Sequence, residues 1–338
     1  MARKRSVLGL DIGTYSVKAV EITGSGDELA VTAAGWERIP SPDMAGETMR
    51  ALIASNRLRV KHCITAVSGR SIIVRYVTMA KMNPEELRQA VQFEADKYIP
   101  YDVNEVQLDC QILGPAAEGS NQLRVLLVAA KKQVIEEHLE ILRKAGVYPS
   151  VIDVDVFALA NVFELCNLRG EMAAEGEAVA MVDIGASKTS ICILRNTAEC
   201  FTREVYNAGN AMTDAIAKRF GEEPTVVETM KEDPGDALPS MRDAIMPVLE
   251  DLANEVRLSF DYYENQYEHK VSRVYLSGGG VLLPGTVEAL QRIFEVETKR
   301  FSPFDFVPTA VADDTLLRER GSDLAVALGL ASRLRRMG

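Results

Sequence analysis

The sequence is poor in the residues that build metal centres and disulfide frameworks. Its 338 residues include 5 cysteines, 3 histidines and a single tryptophan, and no Cys-x-x-Cys pair occurs. Because structural zinc sites usually cluster four ligands, the adjacent pair His62-Cys63 is better explained as the start of a strand beside a buried thiol. The odd number of widely spaced cysteines predicts reduced thiols.

Long apolar runs are also missing. No stretch approaches the roughly 20 apolar residues that a membrane-spanning helix requires, and the longest candidates, 123–130 and 325–331, are short enough to be buried core. Asp11 interrupts the apolar stretch after the basic N-terminus, so the pattern is not that of a signal peptide. These observations predict a protein that stays in the cytoplasm.

Basic residues are outnumbered by acidic ones. The 38 Lys and Arg against 49 Asp and Glu give a formal net charge of −11, which repels phosphate backbones and disfavours nucleic acid as a partner. The hydrophobic fraction of 47% is typical of folded proteins, and the length predicts two domains.

An internal repeat is the first positive signal. Two short β-prone runs on either side of residues 13–14 predict a β-hairpin. Its Asp11-Ile-Gly sequence recurs as Asp183-Ile-Gly, 172 residues later and about half the chain away. This spacing indicates a duplicated domain with one hairpin in each half, and the polar segment 169–177 is the predicted boundary.

The remaining pattern alternates strands and helices, which is typical of an α/β fold. Asn83 and Pro84 have the residue types of a helix N-cap and first helical position. Strands are predicted at 63–67, 72–77, 106–113, 122–130, 151–156 and 274–276, and helices at 84–98, 132–145, 157–165, 211–220, 244–263 and 286–294, with a short helix among loops in 221–240.

The first hairpin has the residues of a phosphate-binding turn. Gly13 lets the backbone approach an anion, hydroxyls and amides can bond phosphate oxygens, and the Asp11 carboxylate can hold a hydrated Mg²⁺. Lys18 adds a positive charge if it points back to the turn, although strand alternation could equally expose it. An ordinary polar hairpin is the alternative, since Asp-Ile-Gly is a common tripeptide.

The second hairpin and a glycine run strengthen this interpretation. The segment Asp183-Ile-Gly185-Ala-Ser187-Lys188-Thr189 repeats the turn, and two facing turns could grip one polyphosphate. Gly278, Gly279 and Gly280 follow a predicted strand and would let the backbone lie against a base and ribose, the alternative being a flexible turn. Neither the GxGxxG nor the GxxxxGK[ST] motif is present.

This ordered set of motifs resembles the actin-like ATPase superfamily, which includes actin, heat-shock chaperone ATPases, sugar kinases and the division protein FtsA. The resemblance implies an α/β, ribonuclease H-like, duplicated two-domain fold that binds ATP and Mg²⁺. It implies that Asp11 and Asp183 organise Mg²⁺ through water. The implied phosphate-binding residues are Gly13, Thr14, Tyr15, Gly185, Ser187, Lys188 and Thr189, in addition to the Lys18 charge considered above, and the implied adenosine loop is Gly278, Gly279 and Gly280.

Two further positions follow from the same resemblance. Gly209 matches the loop that precedes a helix near the terminal phosphate in FtsA-like members, although Ala208 stands where those have a second glycine. Arg257 matches a basic residue that stacks on or bonds the adenine in the chaperones.

Several stretches are more similar still to the PilM family of cytoplasmic type IV pilus assembly proteins, namely 8–13, 90–100 and 152–160. That resemblance implies ATP binding and docking of the cytoplasmic N-terminal peptide of a PilN-like inner-membrane protein, in a groove beside an FtsA-like extra subdomain. Other pilus platform or motor proteins are further expected partners. The predicted domains are 1–168, including the extra subdomain at about 60–130, and 177–338 with the nucleotide lid.

The C-terminus does not resemble a membrane anchor. FtsA relatives use a C-terminal amphipathic helix after a linker, whereas here Arg333, Arg335 and Arg336 directly follow the last predicted core helix. We interpret these arginines as complementing the helix dipole, and we expect recruitment to the inner face of the inner membrane through the partner alone, without direct membrane insertion.

Catalysis is the open question. Phosphoryl transfer usually needs a base or a water-orienting group, and Asp153 or Asp155 is the best candidate, the alternative being that they cap strands or belong to the metal shell. We predict an ATP-binding scaffold of pilus biogenesis with at most slow hydrolysis, in which nucleotide clamps the halves and shapes the peptide groove. The alternative is a small-molecule, sugar-type kinase on the same fold.

Overall fold

The computed structural model describes residues 5–25, 28–58, 62–117, 119–170, 172–195 and 199–333. The strands within these residues form three sheets. The chain divides into a larger unit, Met1–Ala66 with Pro149–Gly338, and a smaller unit, Val67–Tyr148. The strands are β1 (Arg5–Ile12), β2 (Ser16–Ser25), β3 (Glu28–Arg38), β4 (Cys63–Val67), β5 (Ile72–Ala80), β6 (Val106–Pro115), β7 (Gln122–Lys131), β8 (Pro149–Val154), β9 (Ala178–Ile184), β10 (Thr189–Arg195), β11 (Glu199–Val205), β12 (Val271–Ser277) and β13 (Glu297–Arg300). The helices are α1 (Ala45–Ser55), α2 (Pro84–Glu94), α3 (Lys132–Ala145), α4 (Asp155–Gly170), α5 (Gly209–Phe220), α6 (Pro224–Glu232), α7 (Leu238–Tyr267), α8 (Thr286–Phe294), α9 (Thr315–Arg320) and α10 (Ala325–Ala331).

The larger unit contains two sheets with the same arrangement. Their strand orders are β3-β2-β1-β4-β8 and β11-β10-β9-β12-β13. In each sheet the first three strands of the half are antiparallel neighbours, and the next strand in the sheet runs parallel to the first. The structure therefore contains the duplication that the two Asp-Ile-Gly sequences predict.

The apolar run at 325–331 is α10, and every one of its residues is buried. A Cβ atom at Gly9 of β1 would lie 2.0 Å from the Ala327 carbonyl oxygen, and one at Gly329 would lie 2.0 Å from the Ala158 carbonyl oxygen of α4. Glycine is required at both positions because the backbones of β1, α10 and α4 pass so close together. The predicted core segment is confirmed.

The smaller unit is built on the antiparallel sheet β5-β7-β6. The predicted start of α2 is confirmed, since the Asn83 side chain accepts from the backbone N–H groups of Glu85 and Glu86, and the Glu86 carboxylate accepts from the Asn83 N–H. Leu87 and Val91 of α2 pack into one apolar cluster with side chains of β5 and β7. This unit extends to Tyr148 and so includes α3, beyond the predicted limit near 130.

One local difference from the predicted elements affects the site. Strand β8 ends at Val154, so Asp155 lies in the first turn of α4 instead of on a strand. Arg335 and Arg336 of the C-terminal prediction lie outside the described residues.

Candidate functional site

Both hairpin turns are closed by the same backbone hydrogen bond. The Gly13 N–H donates to the Ser16 carbonyl oxygen at 3.0 Å, and the Gly185 N–H donates to the Lys188 carbonyl oxygen at 3.0 Å. A Cβ atom would lie 3.1 Å from the same oxygen at Gly13 and 3.0 Å from it at Gly185. The glycine of each Asp-Ile-Gly sequence thus occupies an equivalent crowded position.

The tips of the two hairpins meet. The exposed Thr14 hydroxyl donates to the Ser187 hydroxyl at 3.2 Å, across 173 residues of sequence. The structure therefore brings together the two turns to which the sequence assigns phosphate binding.

Lys18 lies inside the first hairpin and not in solvent. Strand pairing places it opposite Asp11, and its Nζ lies 3.1 Å from Asp11 Oδ2 and 3.4 Å from Asp323 Oδ1. Burial alone would lower the pKa of Lys18, but the carboxylates of Asp11, Asp323 and Asp183 raise it above its ordinary value. Lys18 is therefore a fixed cation at this site. Of the two orientations that strand alternation allowed, the structure shows the one in which Lys18 points back to the turn.

Asp323 is a site residue that the sequence did not reveal. It immediately precedes the last apolar helix, and its Oδ2 accepts from the Trp36 indole N–H at 2.7 Å. The Arg320 guanidinium lies 3.8 Å from the centroid of the Trp36 ring and pairs with Glu232 at 3.1 Å. These partners hold Asp323 in place, but they come from distant parts of the chain and leave no local motif.

Asp183 occupies the corresponding position at the end of β9. Its Oδ1 accepts from the Ser277 hydroxyl at 2.7 Å. Burial, together with the negative charges of Asp11 and Asp323, raises the pKa of Asp183 to about 7, although the Ser277 hydrogen bond and the positive charge of Lys18 act in the opposite direction. Asp11 and Asp183 therefore share one electrostatic cluster, which a bound cation would stabilise in its charged form.

The glycine run lies against the second hairpin. Gly278 has a φ of 88°, and a Cβ there would lie 2.4 Å from the Ile184 carbonyl oxygen. A Cβ at Gly280 would lie 2.4 Å from Ile184 Cγ2, and one at Gly279 would lie 3.5 Å from the Asp323 carboxylate. The loop that the sequence assigns to adenosine is thus fixed next to both Asp183 and Asp323.

Gly209, the first residue of α5, contacts the second hairpin as well. Its N–H donates to the Gly185 carbonyl at 2.9 Å, and the Asn210 N–H donates to the Ala186 carbonyl at 2.7 Å. The N–H groups at the start of α5 are therefore satisfied by hairpin backbone, and Gly209 positions the turn in this structure instead of presenting a free donor.

Lys188 and Thr189 are engaged by other parts of the protein. The Lys188 Nζ lies 2.5 Å from Asp155 Oδ2 and 2.5 Å from Glu204 Oε1, and the Thr189 hydroxyl donates to the Asn207 carbonyl at 2.8 Å. Burial opposes the charge of Lys188, but the two carboxylates raise its pKa to about 12. Burial also raises the pKa of Asp155, against the opposing effect of Lys188. Ser187 is the residue of this turn that faces the first hairpin.

Two predicted site residues have partners that give their assigned roles no support. Asp153 pairs with the Arg333 guanidinium and accepts from the Val154 N–H at 2.9 Å, which leaves Asp155 as the remaining candidate for the predicted water-orienting role. The Arg257 guanidinium donates to the Ile293 carbonyl near the end of α8, which leaves the predicted adenine contact without support in this geometry.

A polar cluster on α5 and α6 was missed. Lys231 Nζ lies 2.8 Å from Glu228 Oε1 and 2.9 Å from the Thr213 hydroxyl, which also donates to Glu228. Burial and then the charge of Glu228 raise the pKa of Tyr15 to about 12, so this cluster lies beside the first hairpin. The Glu-x-x-Lys spacing was visible in the sequence, but nothing local indicated which surface it faces.

Two general features complete the geometry. The described residues contain no group of three or more His, Cys, Asp or Glu side chains placed to hold a metal ion, so any Mg²⁺ would depend on water for most of its ligands. Across the same described ranges, no helix combines the length and the hydropathy needed to cross a membrane.

Comparison with known proteins identifies a family. The model of one family, described as type IV pilus assembly protein PilM, matches residues 9–336. Among solved structures, a chain of the PilM-PilN type IV pilus biogenesis complex is similar with a TM-score of 0.84 and 32% identity, covering 97% of this chain and 98% of that one.

More distant similarities concern the fold. The cell division protein FtsA of Streptococcus pneumoniae serotype 2 (strain D39 / NCTC 7466) is 21% identical over 365 residues, covering 90% of this chain and 77% of that protein. MreB 5 of Spiroplasma citri, solved with AMPPNP bound, has a TM-score of 0.52 and 11% identity, covering 98% of this chain and 97% of that one. The predicted actin-like fold is confirmed.

Proposed function

The chain belongs to the family of type IV pilus assembly protein PilM, and on this premise we propose that it is an ATP-binding scaffold of the pilus inner-membrane platform. Nucleotide binding is supported by the geometry of the two hairpins, because their tips touch and because Asp11 and Asp183 belong to one charged cluster around Lys18. A sugar-type kinase is not favoured, because both the family and the PilM-PilN structure belong to pilus assembly.

The residues present fit a magnesium-bound triphosphate. Gly13 and Gly185 add no side chain at the crowded position of each turn, so backbone N–H groups and the hydroxyls of Thr14 and Ser187 can bond phosphate oxygens. Lys18 supplies a fixed positive charge. When bound, Mg²⁺ neutralises negative charge on the phosphates and on the nearby carboxylates.

The nucleoside end is assigned to the glycine loop and to the cluster on α5 and α6. Gly278 and Gly279 present backbone without side chains next to Asp323. Glu228 and Lys231 offer an acceptor and donors of the kind that ribose hydroxyls bond, beside Tyr15. We assign no adenine contact to Arg257, because its guanidinium already bonds a backbone carbonyl.

Slow hydrolysis fits the state of Asp155. This carboxylate is the remaining candidate to orient water, and Lys188 neutralises it through the 2.5 Å ion pair. A carboxylate held by a cation is a poor proton acceptor, so the residues favour holding nucleotide over turning it over.

The partner is assigned through the family. The solved complex of this family pairs PilM with PilN, and we propose that the present chain likewise docks the cytoplasmic N-terminal peptide of a PilN-like inner-membrane protein. In this scheme the protein works on the cytoplasmic face and reaches the membrane through that partner. Nucleotide bound at the two hairpins changes the affinity for the peptide.

The test is a binding experiment in both directions. A synthetic N-terminal peptide of a PilN-like protein from the same organism is titrated into the full chain with and without Mg-ATP. The proposal predicts binding in the micromolar range or tighter, with an affinity that changes at least about threefold when nucleotide is present. Absence of peptide binding, together with phosphorylation of a sugar from labelled ATP, would instead support the kinase.

A further inference from the structure

Lys188 forms the centre of a charged triad that the proposed function does not yet explain. Its Nζ is shared equally between Asp155 of α4 and Glu204 of β11, at 2.5 Å from each, and all three side chains are less than one-fifth exposed. One cation against two carboxylates leaves the triad with an excess negative charge. A buried arrangement of this kind is retained at a cost, because each ion loses hydration.

The triad adjoins the two hairpins. Lys188 directly follows Ser187, whose hydroxyl meets Thr14 of the first hairpin, so its side chain begins within the turn assigned to phosphate. Burial is the main cause of the raised pKa of Asp155, and the charge of Asp11 also contributes, so Asp155 lies within electrostatic range of the first hairpin. The triad is therefore next to the proposed nucleotide site and not elsewhere on the second sheet.

The two carboxylates of the triad differ in what they retain without Lys188. Glu204 Oε2 also accepts from the Tyr206 hydroxyl at 3.1 Å, so Glu204 keeps a partner if the lysine moves. Asp155 Oδ1 is buried and has no hydrogen-bond partner among the residues that the structure describes, while its Oδ2 depends on Lys188. If Lys188 moved away from Glu204, that carboxylate would still have the Tyr206 hydroxyl as a partner. If Lys188 moved away from Asp155, a buried carboxylate would be left unpaired.

Resting on the proposed function, we infer that Lys188 distinguishes a nucleoside triphosphate from a diphosphate by exchanging Glu204 for an oxygen of the terminal phosphate. A phosphate oxygen is a charge-assisted acceptor at least as good as the carboxylate that Lys188 leaves. A diphosphate lacks that oxygen, so Lys188 stays with Glu204 and Asp155. In the triphosphate state Lys188 therefore bridges Asp155 and the terminal phosphate, and its ion pair with Asp155 is kept.

The test compares two variants that should act in opposite directions. Dissociation constants for Mg-ATP and Mg-ADP are measured by calorimetry on the full chain. In Lys188→Gln the preference for ATP over ADP should fall at least about tenfold, because the contact with the terminal phosphate loses its charge. In Glu204→Gln the preference should rise about threefold or more, because a competitor for Lys188 has been removed.

A matched control lies one residue away on the same strand. Arg203 of β11 points to α7, where it pairs with Glu255 at 2.7 Å and contacts Ser259. Arg203→Gln therefore changes the charge of β11 by one unit without touching the triad, and its ATP-to-ADP preference should equal that of the wild type within about twofold. Circular dichroism and thermal unfolding establish that each variant is folded.

The outcomes separate the inference from the proposed function. If the wild type binds neither nucleotide, the proposed function fails. If the wild type binds both nucleotides, the inference is overturned by either of two results. One is an ATP preference in Lys188→Gln equal to that of the wild type, and the other is a shift of the preference in the same direction in Lys188→Gln and Glu204→Gln. Either result would mean that Lys188 is a structural residue. Opposite shifts, with Arg203→Gln unchanged, support it.

Discussion

The two hairpins have the same backbone but different charges. In both, the N–H of the glycine in Asp-Ile-Gly donates to the carbonyl oxygen three residues on, and the aspartate is the penultimate residue of the first strand of the hairpin. In the first hairpin the residue opposite the aspartate is Lys18, whereas in the second it is Ser190. Asp11 is therefore paired with a cation of its own hairpin, while Asp183 has the hydroxyl of Ser277 from another strand.

This difference shows which properties of the repeat each half retained. The turn geometry depends on a crowded glycine, so it is the same in both copies. The charges of the two copies differ, because the first copy contains the fixed cation Lys18 and the second contains Asp183, a carboxyl group whose burial raises its pKa to about 7. The second copy has its own lysine at the turn, Lys188, but that side chain binds Asp155 and Glu204.

The largest expected effect on stability comes from replacing the residues opposite the two aspartates, Lys18 and Ser190. Lys18→Met leaves the carboxylates of Asp11 and Asp323 together in a largely buried cluster, so the free energy of unfolding should fall by about 3–5 kcal/mol. Ser190→Ala, at the equivalent register position of the second hairpin, should cost only about 1 kcal/mol. Chemical denaturation of both variants measures the difference, and equal losses would mean that the two hairpins carry charge in the same way.

The next effect concerns the aspartates themselves, in the nucleotide-free protein. Asp11→Asn removes a partner of Lys18 and should destabilise the fold by about 1–3 kcal/mol at neutral pH. Asp183→Asn should have the opposite sign, because it removes a carboxyl group that burial disfavours in its charged form.

The pH dependence follows from the raised pKa of Asp183. Its folded pKa of about 7 exceeds the ordinary value of 3.8, so the folded state holds this proton between those pH values and the unfolded state does not. The contribution of Asp183 to stability is complete below pH 3.8 and is lost as pH rises through 7. The stabilisation by Asp183→Asn should therefore grow from pH 4 to pH 7 and then level off. A constant difference across that range would contradict the assigned environment.

The smallest expected effect tests what the hairpins share. Gly13→Ala and Gly185→Ala place a Cβ at 3.1 Å and 3.0 Å from equivalent carbonyl oxygens, so each should destabilise by about 1 kcal/mol and the two values should agree within about 0.5 kcal/mol. Gly69→Ala, where φ is 100° and no atom lies within 4 Å of the added Cβ, controls for conformational strain in a turn without crowding. Clearly unequal losses at Gly13 and Gly185 would show that the turns differ in geometry as well as in charge.

Local patterns allowed much of this fold to be predicted from the sequence. Alternation and a repeated turn predicted both hairpins, and the N-cap at Asn83 predicted the start of α2, because each of these interactions joins residues only a few positions apart. The direction of Lys18 could not be predicted, since strand alternation alone does not say which face is enclosed.

The remaining site residues depend on contacts between distant segments. Asp323 reaches the first hairpin through Trp36 and Lys18, nearly the full length of the chain away. Asp153 and Arg257 have the right residue types for a nucleotide site, but Arg333 and the Ile293 carbonyl, both far along the chain, engage them. No spacing rule within one sequence identifies partners of this kind.

Calorimetric titration of Mg-ATP tests the central claim most directly, because one ligand contacting both hairpins has a definite stoichiometry. The wild type should bind one nucleotide per chain, and Asp11→Ala and Asp183→Ala should each weaken that single site at least about tenfold. Two independent sites per chain, or an affinity unchanged in either folded variant, would contradict the account.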